Sequence, residues 1–150
     1  MNNLCLSTEE LARLGLELGS DVPFCIYNVP ANVYGIGEVI KPIAGFKEIY
    51  GIIVFDNLHY DTKQVYDTYD RIKINNECLD NDLEIAARLL PDGDRIIDIE
   101  KTIMEHGAYK ASLSGSGGAV FGLFNDKESA RIAEKKLKNR YQFVKYFESL

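Results

Sequence analysis

The stretch that decides the fold is Ser112-Leu113-Ser114-Gly115-Ser116-Gly117-Gly118-Ala119-Val120-Phe121. One apolar run, from Tyr109 to Leu113, enters this glycine-rich loop, and a second, from Ala119 to Phe124, leaves it. The loop is therefore predicted to join two strands and not to open a helix. That excludes a Walker A loop, whose G-x-x-x-x-G-K-[ST] pattern is absent, and a dinucleotide fingerprint, which needs a following helix.

Two interpretations of the loop from Ser114 to Gly118 are open at this point. Its small residues and hydroxyls allow successive backbone N–H groups to converge on an anion. Alternatively, the glycines only satisfy the backbone geometry of a hairpin. The loop by itself favours neither interpretation.

Hydrophobic periodicity on both sides of the loop predicts an α+β fold. A nearly continuous apolar run from Ile49 to Phe55 indicates a buried strand. The other predicted elements are helices over 63–71, 82–90, 94–106 and 127–138, and a last strand over 142–147. The order is strand, helices, strand, strand, helix, strand. We therefore expect a ferredoxin-like split β-α-β sandwich over residues 45–150.

Residues 1–44 follow a different pattern. Ser7 and Glu10 form a capping box that begins a helix, and Gly19 is typical of its end. Asp21 is then expected in a turn, since Pro23 disfavours the helical conformation for Val22. Three short segments after it, over 24–27, 33–34 and 39–40, are predicted to be small strands or an extended arm. The domain boundary is expected near Pro42 to Phe46.

Composition limits the classes of partner. There are 17 Lys and Arg against 23 Asp and Glu, for a net charge of −6, which argues against nucleic acid and anionic membranes. No apolar run approaches the roughly 20 residues of a membrane span. Cys5, Cys25 and Cys78 are widely spaced without a C-x-x-C pair, so no metal site is predicted. Free thiols fit a reducing compartment, and a cytoplasmic location is expected.

A second motif, Leu18-Gly19-Ser20-Asp21-Val22-Pro23-Phe24, lies far upstream of the loop. Between the two occur Gly35-Ile36-Gly37-Glu38, then Asp61-Thr62-Lys63-Gln64-Val65-Tyr66, then Asn81-Asp82-Leu83-Glu84. In this order the motifs resemble the GHMP kinase superfamily, and within it the family of 4-diphosphocytidyl-2-C-methyl-D-erythritol kinases. The resemblance extends over nearly the whole chain and is much more specific than any single motif.

The resemblance implies a role for each matching residue. Asp21 corresponds to the catalytic aspartate that acts on the substrate hydroxyl; the alternative is that it only caps a turn. Thr62 and Tyr66 correspond to substrate-binding residues; the alternatives are a helix cap and an amphipathic contact. Support of the main phosphate loop is implied for Ser114, Gly115, Ser116, Gly117 and Gly118. The family uses ATP with Mg and acts in isoprenoid precursor synthesis.

Two features of the resembling family do not occur in these 150 residues, namely a lysine-bearing strand and a Gly-Leu-Gly-Gly-Gly-Ser-Ser phosphate loop. We therefore expect a carboxy-terminal half of a kinase that is inactive alone and binds no cofactor tightly. Residues 1–44 would then be a remnant of the amino-terminal kinase domain. The alternatives are a non-catalytic ferredoxin-like ligand-binding or regulatory module and a relic fragment. Homoserine, mevalonate and galactose kinases share the same outline, which leaves the substrate open.

Many apolar side chains precede the predicted boundary, and in this interpretation they evolved to pack against a domain that these residues do not include. They are Leu4, Leu6, Leu11, Leu14, Leu18, Phe24, Ile26, Val33 and Tyr34. Exposed apolar patches beyond several hundred Å² usually have a partner. We expect that partner to be a second copy of the chain, giving a homo-oligomer, or a missing amino-terminal kinase half.

Overall fold

The computed structural model describes residues 6–72 and 81–149, and it divides the chain into two compact units. The first unit ends at Lys47, and the second runs from Glu48 to Ser149. Leu4, Cys5 and Cys78 lie outside the described residues. The origin of the first unit as a remnant of an amino-terminal kinase domain stays a prediction.

The first unit consists of two helices and a hairpin: α1 (Thr8–Leu16), α2 (Val22–Tyr27), β1 (Ala31–Tyr34) and β2 (Val39–Pro42). The capping box is present at the start of α1. Ser7 Oγ accepts a hydrogen bond from the Glu10 N–H at 3.2 Å, and the Glu10 carboxylate accepts one from the Ser7 N–H at 2.8 Å. Two of the N–H groups that a helix start leaves unpaired are satisfied in this way.

Helix α2 corrects the prediction of a strand over 24–27. Val22 is the first helical residue and Pro23 lies in the first turn, where a missing N–H costs nothing because it has no intrahelical acceptor. The rule that proline excludes a helical neighbour is a bias, and it fails here. Asn28 ends α2 in the left-handed conformation, φ 49°, which asparagine tolerates better than most residues.

The second unit is a four-stranded antiparallel sheet with helices in its two crossovers. Its elements are β3 (Tyr50–Phe55), α3 (Thr62–Ile72), α4 (Asp82–Arg88), α5 (Gly93–Glu105), β4 (Lys110–Leu113), β5 (Ala119–Phe124), α6 (Lys127–Leu137) and β6 (Phe143–Glu148). The strand order is β4-β5-β3-β6. This is the order of a split β-α-β sandwich, so the predicted ferredoxin-like fold is confirmed.

The core lies between one face of this sheet and the helices. Alternate residues of β3 and β5 point inward, and Ile52, Val54, Val120 and Phe124 are buried. The predicted stripe of α5, formed by Ile96, Ile99 and Ile103, is buried as well. No helix among the described residues is both long enough and apolar enough to cross a membrane.

Gly122 sets how closely α5 approaches the sheet. It is a buried residue in β5, and a β-carbon at this position would overlap Ile103 Cγ2. Bringing a helix this close to a strand requires a residue without a side chain on the strand. The contact therefore fixes the height of α5 above β5.

Substitutions at this contact test the close approach. Gly122→Ala should lower the free energy of unfolding by about 1–3 kcal/mol because it overpacks the core. Ile103→Ala should lower it by about 2–5 kcal/mol through the cavity it leaves. The double variant should be destabilised by less than the sum, by at least ~0.5 kcal/mol, since the second change removes the overlap. Urea denaturation of the four proteins measures this, and strict additivity would contradict the packing described.

Candidate functional site

The glycine loop adopts backbone conformations that favour glycine. Gly115, Gly117 and Gly118 have φ angles of 58°, 123° and 94°. A β-carbon on Gly117 would lie 2.7 Å from Tyr60 Cδ2, and one on Gly118 would lie 3.0 Å from the carbonyl oxygen of Leu58. The loop is therefore packed directly against the segment that follows β3, which accounts for two of its three glycines.

Asn81 holds the loop from the other side. It is the N-cap of α4, and its Oδ1 accepts a hydrogen bond from the Leu83 N–H at 3.2 Å. Its Nδ2 group donates to the carbonyl oxygens of Leu113 and Gly115, at 3.0 and 2.9 Å. One side chain thus caps a helix and fixes two loop carbonyls, and the sequence predicted only the cap.

Thr62 has a different role from the predicted cap. Asp61 caps α3: its Oδ1 accepts from the Gln64 N–H at 2.9 Å. The Thr62 hydroxyl is free of that task and lies 3.0 Å from the Ser116 hydroxyl of the loop. Tyr66 lies one turn later on the same face of α3 and is 51% exposed. The structure thus joins Thr62 to the loop and leaves Tyr66 open to solvent.

Part of the loop backbone is available to an external acceptor. The N–H groups of Ser114 and Gly117 are used within the hairpin, by Ala119 O at 2.8 Å and Ser114 O at 3.1 Å. Within residues 6–72 and 81–149, the N–H groups of Gly115, Ser116 and Gly118 have no acceptor. Three N–H donors within four residues are the arrangement with which backbone concavities bind anions.

A cavity of about 380 Å³ lies beside the loop. Its lining includes the loop residues Ser114 and Gly115, and also Asn81, Lys110, Ser112, Leu113 and Phe121. Both aromatic and polar groups face it. The space is large enough for a phosphate-bearing group next to the loop.

Glu84 was not predicted as a site residue, yet it supports the strand that enters the loop. Its Oε2 atom accepts hydrogen bonds from the Ser112 hydroxyl at 2.7 Å and from the Leu113 N–H at 2.8 Å. Arg88 pairs with Glu84 and with the buried Glu100. The spacing of four residues between Glu84 and Arg88 on a helix predicts that they pair. No pattern in the sequence predicts that Glu100 joins them.

Asp21 precedes α2 in the first unit. It occupies the N-cap position and is exposed, but its side chain makes no capping hydrogen bond. The interpretation in which Asp21 only caps a turn thus lacks its defining contact. The carboxylate borders a cleft of about 360 Å³ lined by Ser20, Asp21, Phe24, Val33, Gly35, Ile36 and Gly37.

The cleft unites two of the motifs singled out in the sequence. Gly37 has a φ of 111°, and a β-carbon there would overlap the carbonyl oxygen of Ser20. The hairpin turn therefore lies against the backbone next to Asp21. Glu38 closes the turn, since its Oε2 accepts from the Ile36 N–H at 2.6 Å. Gly35, Ile36 and Gly37 of this motif thus form a wall of the Asp21 cleft.

Comparison with known families and proteins agrees with these motifs. Residues 72–142 match the family model described as GHMP kinases C terminal. The chain is 32% identical over 159 aligned residues to the 4-diphosphocytidyl-2-C-methyl-D-erythritol kinase of Clostridium tetani, covering 93% of this chain and 56% of that kinase. It is 38% identical to the enzyme of the same name from Clostridioides difficile, covering 94% and 54%.

A solved structure is similar to the described fold. The crystal structure of a 4-(cytidine 5'-diphospho)-2C-methyl-D-erythritol kinase superposes with a TM-score of 0.77 and 25% identity, covering 92% of this chain and 56% of that one. The chain spans about half the length of the curated relatives it matches.

Asparagine substitutions test which loop glycines are required. Gly117→Asn should cost about 1–3 kcal/mol of stability, because its φ is strained for any side chain and the β-carbon meets Tyr60. Gly115→Asn should cost much less, since a φ of 58° lies in the left-handed region that asparagine tolerates and nothing lies within 4 Å. Thermal melts of both variants give the comparison, and equal losses would contradict it.

Proposed function

We propose, from the premise that this chain contains a GHMP kinase carboxy-terminal domain, that it forms the carboxy-terminal part of an ATP-dependent small-molecule kinase. The proposed substrate is diphosphocytidyl methylerythritol, which would be phosphorylated on a hydroxyl group, in line with the names of the chain's relatives. The observation that supports this most is the Asp21 carboxylate, which borders a cleft and is not used as a cap.

In this proposal Asp21 is the catalytic residue. Its carboxylate accepts the proton of the substrate hydroxyl while that oxygen forms a bond to the γ-phosphorus of ATP, and the bond from this phosphorus to the bridging oxygen breaks so that ADP leaves. The neighbouring Gly35-Ile36-Gly37-Glu38 turn shapes the cleft in which the hydroxyl group would lie. Thr62 and Tyr66 are proposed as substrate-binding residues, and Thr62 also connects to the loop through Ser116.

The glycine loop fits ATP only in part. ATP supplies the transferred phosphoryl group, and the N–H groups of Gly115, Ser116 and Gly118 could donate to one of its phosphate oxygens. The loop itself contributes three neutral donors, which alone form a weak anion site, and Lys110 lines the cavity beside it. We therefore assign the loop a supporting contact and expect no tight binding of ATP to these 150 residues alone.

The described residues offer magnesium no set of ligands comparable to the N–H groups that the loop offers a phosphate. In the described part of the chain, no group of three His, Cys, Asp or Glu side chains could hold a metal ion. No residue here is assigned as a magnesium ligand, and no step is derived through the ion.

Reconstitution tests the assignment of Asp21. The 150-residue chain alone should show no ATP-dependent phosphorylation of diphosphocytidyl methylerythritol. Mixed or fused with the amino-terminal half of the Clostridioides difficile kinase, it should turn over. Asp21→Asn should then lower kcat by about 10²–10⁴-fold, because the general base is lost while the shape is kept. Asp98→Asn, an exposed change on α5, is the matched control.

Different outcomes of this experiment exclude different parts of the proposal. Full activity of the reconstituted Asp21→Asn enzyme would exclude the catalytic role of Asp21. Turnover by the chain alone would exclude its dependence on a second half. If the reconstituted protein is folded but phosphorylates none of the nucleoside diphosphate substrates tried, the proposed kinase function is excluded.

The same proposal implies a partner for the first unit. Its exposed apolar side chains include Leu11, Leu14 and Leu18, of which Leu18 is 85% exposed. Burying a leucine stabilises an interface by roughly 1.5–3 kcal/mol, so this surface favours association. We propose that it binds an amino-terminal kinase half or, in its absence, a second copy.

Sedimentation tests the self-association. The chain alone should form dimers or larger species at micromolar concentration. Leu18→Glu should shift it to the monomer, because a carboxylate would have to be buried at the contact. Ile132→Glu, on the 45% exposed Ile132 of α6, should leave the association unchanged. A wild-type chain that stays monomeric at these concentrations would contradict the proposed copy-to-copy contact.

A further inference from the structure

Helix α4 contacts the strand entering the glycine loop at two points. At its start, Asn81 donates to the carbonyl of Leu113, and one turn later Glu84 accepts from the N–H of the same residue. Leu113 is thus held through both of its backbone polar groups. Glu84 also accepts from the Ser112 hydroxyl. The entrance of the loop cannot move away from α4 without losing these bonds.

Glu84 belongs to a charged cluster in which Glu100 is buried, Glu84 is largely buried and Arg88 is partly exposed. Arg88 Nη2 lies 2.6 Å from Glu84 Oε1, and the same nitrogen contacts Glu100 Oε2. Glu100 is 8% exposed. Two carboxylates therefore share one guanidinium nitrogen. Within the described part of the chain, Glu100 Oε1 and Arg88 Nε are buried without a hydrogen-bond partner, an arrangement that is costly for ionised groups.

We propose that the Glu84–Arg88–Glu100 cluster is a proton-operated clamp on the glycine loop. When Glu100 is protonated, the clamp is closed and Glu84 holds the Leu113 N–H. When Glu100 ionises, the clamp loosens and the entrance of the loop opens more often. This inference concerns the loop itself and stands whether or not the chain is part of a kinase.

The charges of the cluster give the direction. With a proton on Glu100, one carboxylate faces one guanidinium, and the Glu100 hydroxyl can donate to the Glu84 carboxylate. Without it, two buried carboxylates compete for Arg88 and repel each other. The charged groups that act on Glu100 are Glu84 and Arg88, both from α4; strands β4 and β5 also pack on α5, but no charged side chain among their described residues acts on Glu100.

Burial and, after it, the nearby Glu84 carboxylate raise the pKa of Glu100 to about 7, because Arg88 opposes them only in part. Glu134 provides a contrast in the same unit. Burial also acts to raise the pKa of Glu134, but Lys138, the Tyr146 N–H and Arg131 outweigh burial and lower it. The difference lies in the number of partners: Glu134 has two close donors, Lys138 and the Tyr146 N–H, and a further cation, Arg131, at 3.7 Å, whereas Glu100 shares one arginine with a second carboxylate.

The sign of the pH effect follows from this raised pKa. The pKa of Glu100 in the closed state is about 7, above its ordinary value of 4.5. A carboxyl of this kind stabilises the closed state fully below pH 4.5, and the contribution is lost as the pH rises through about 7. The clamp should therefore loosen progressively as the pH rises from 4.5 through about 7.

Amide hydrogen exchange of the full 150-residue chain, followed by NMR, tests the clamp. After correction for intrinsic base catalysis, the protection factor of the Leu113 amide should fall roughly tenfold from pH 6 to pH 8, as proton linkage requires for opening to an exposed carboxyl. Glu100→Gln should remove this fall, because a neutral amide cannot ionise. Glu105→Gln, at an exposed position on the same helix, should retain it.

Two results would overturn the proposal: a pH-independent protection factor for Leu113 in the wild-type chain, and an undiminished tenfold fall in Glu100→Gln. Because Glu100→Gln could fail to fold, the wild-type chain also provides a direct readout. The side-chain carboxyl ¹³C shift of Glu100 and the amide shift of Leu113 should titrate together near pH 7. A Glu100 midpoint near 4.5, or a Leu113 shift that does not follow it, would equally overturn the clamp.

Discussion

The pairing of β3 between β5 and β6 is the constraint on which the second unit depends. Every residue of β3 is paired on both sides, and Ile52 and Val54 are completely buried. Because β3 lies centrally, its two neighbours come from the far end of the chain, and both crossovers must place their helices on the same face. The segment that leaves β3, containing Leu58 and Tyr60, thereby comes beside the loop that leads into β5.

The glycine loop is consequently held by elements that are far apart in the sequence. Leu58 and Tyr60 press on it from the end of β3, Thr62 contacts it from α3, and Asn81 fixes its carbonyls from α4. No contact among these is strong alone, since a typical hydrogen bond contributes about 1 kcal/mol net. Together they define one backbone path through three glycines at positive φ, and along this path three N–H groups have no acceptor among the described residues.

The periodicity of the sequence was sufficient to predict the order of the elements in the second unit, because each element has one apolar face and one core to bury it in. The sequence-based prediction was wrong at α2. Pro23 is compatible with the first turn of a helix as well as with an extended segment, so its presence did not distinguish the two. Sequence motifs identified Asp21 and the loop as candidates. They could not reveal the Glu84–Arg88–Glu100 cluster, because the sequence shows neither that Glu100 is buried nor that the fold brings Arg88 next to it.

The register of the sheet also determines the order in which the protein can acquire its structure. Tyr50 pairs with Glu148 and Phe55 with Phe143, so one side of the central strand finds its partner only in the last strand of the chain. During synthesis, β3 leaves the ribosome long before β6 is made. The backbone edge of β3 that pairs with β6 stays unpaired until then. Such long-range pairing is slow to form and leaves strand edges open to wrong partners. The nascent second unit should thus be a client of chaperones until β6 emerges, and loss of β6 should be more harmful to its folding than a change in any surface helix.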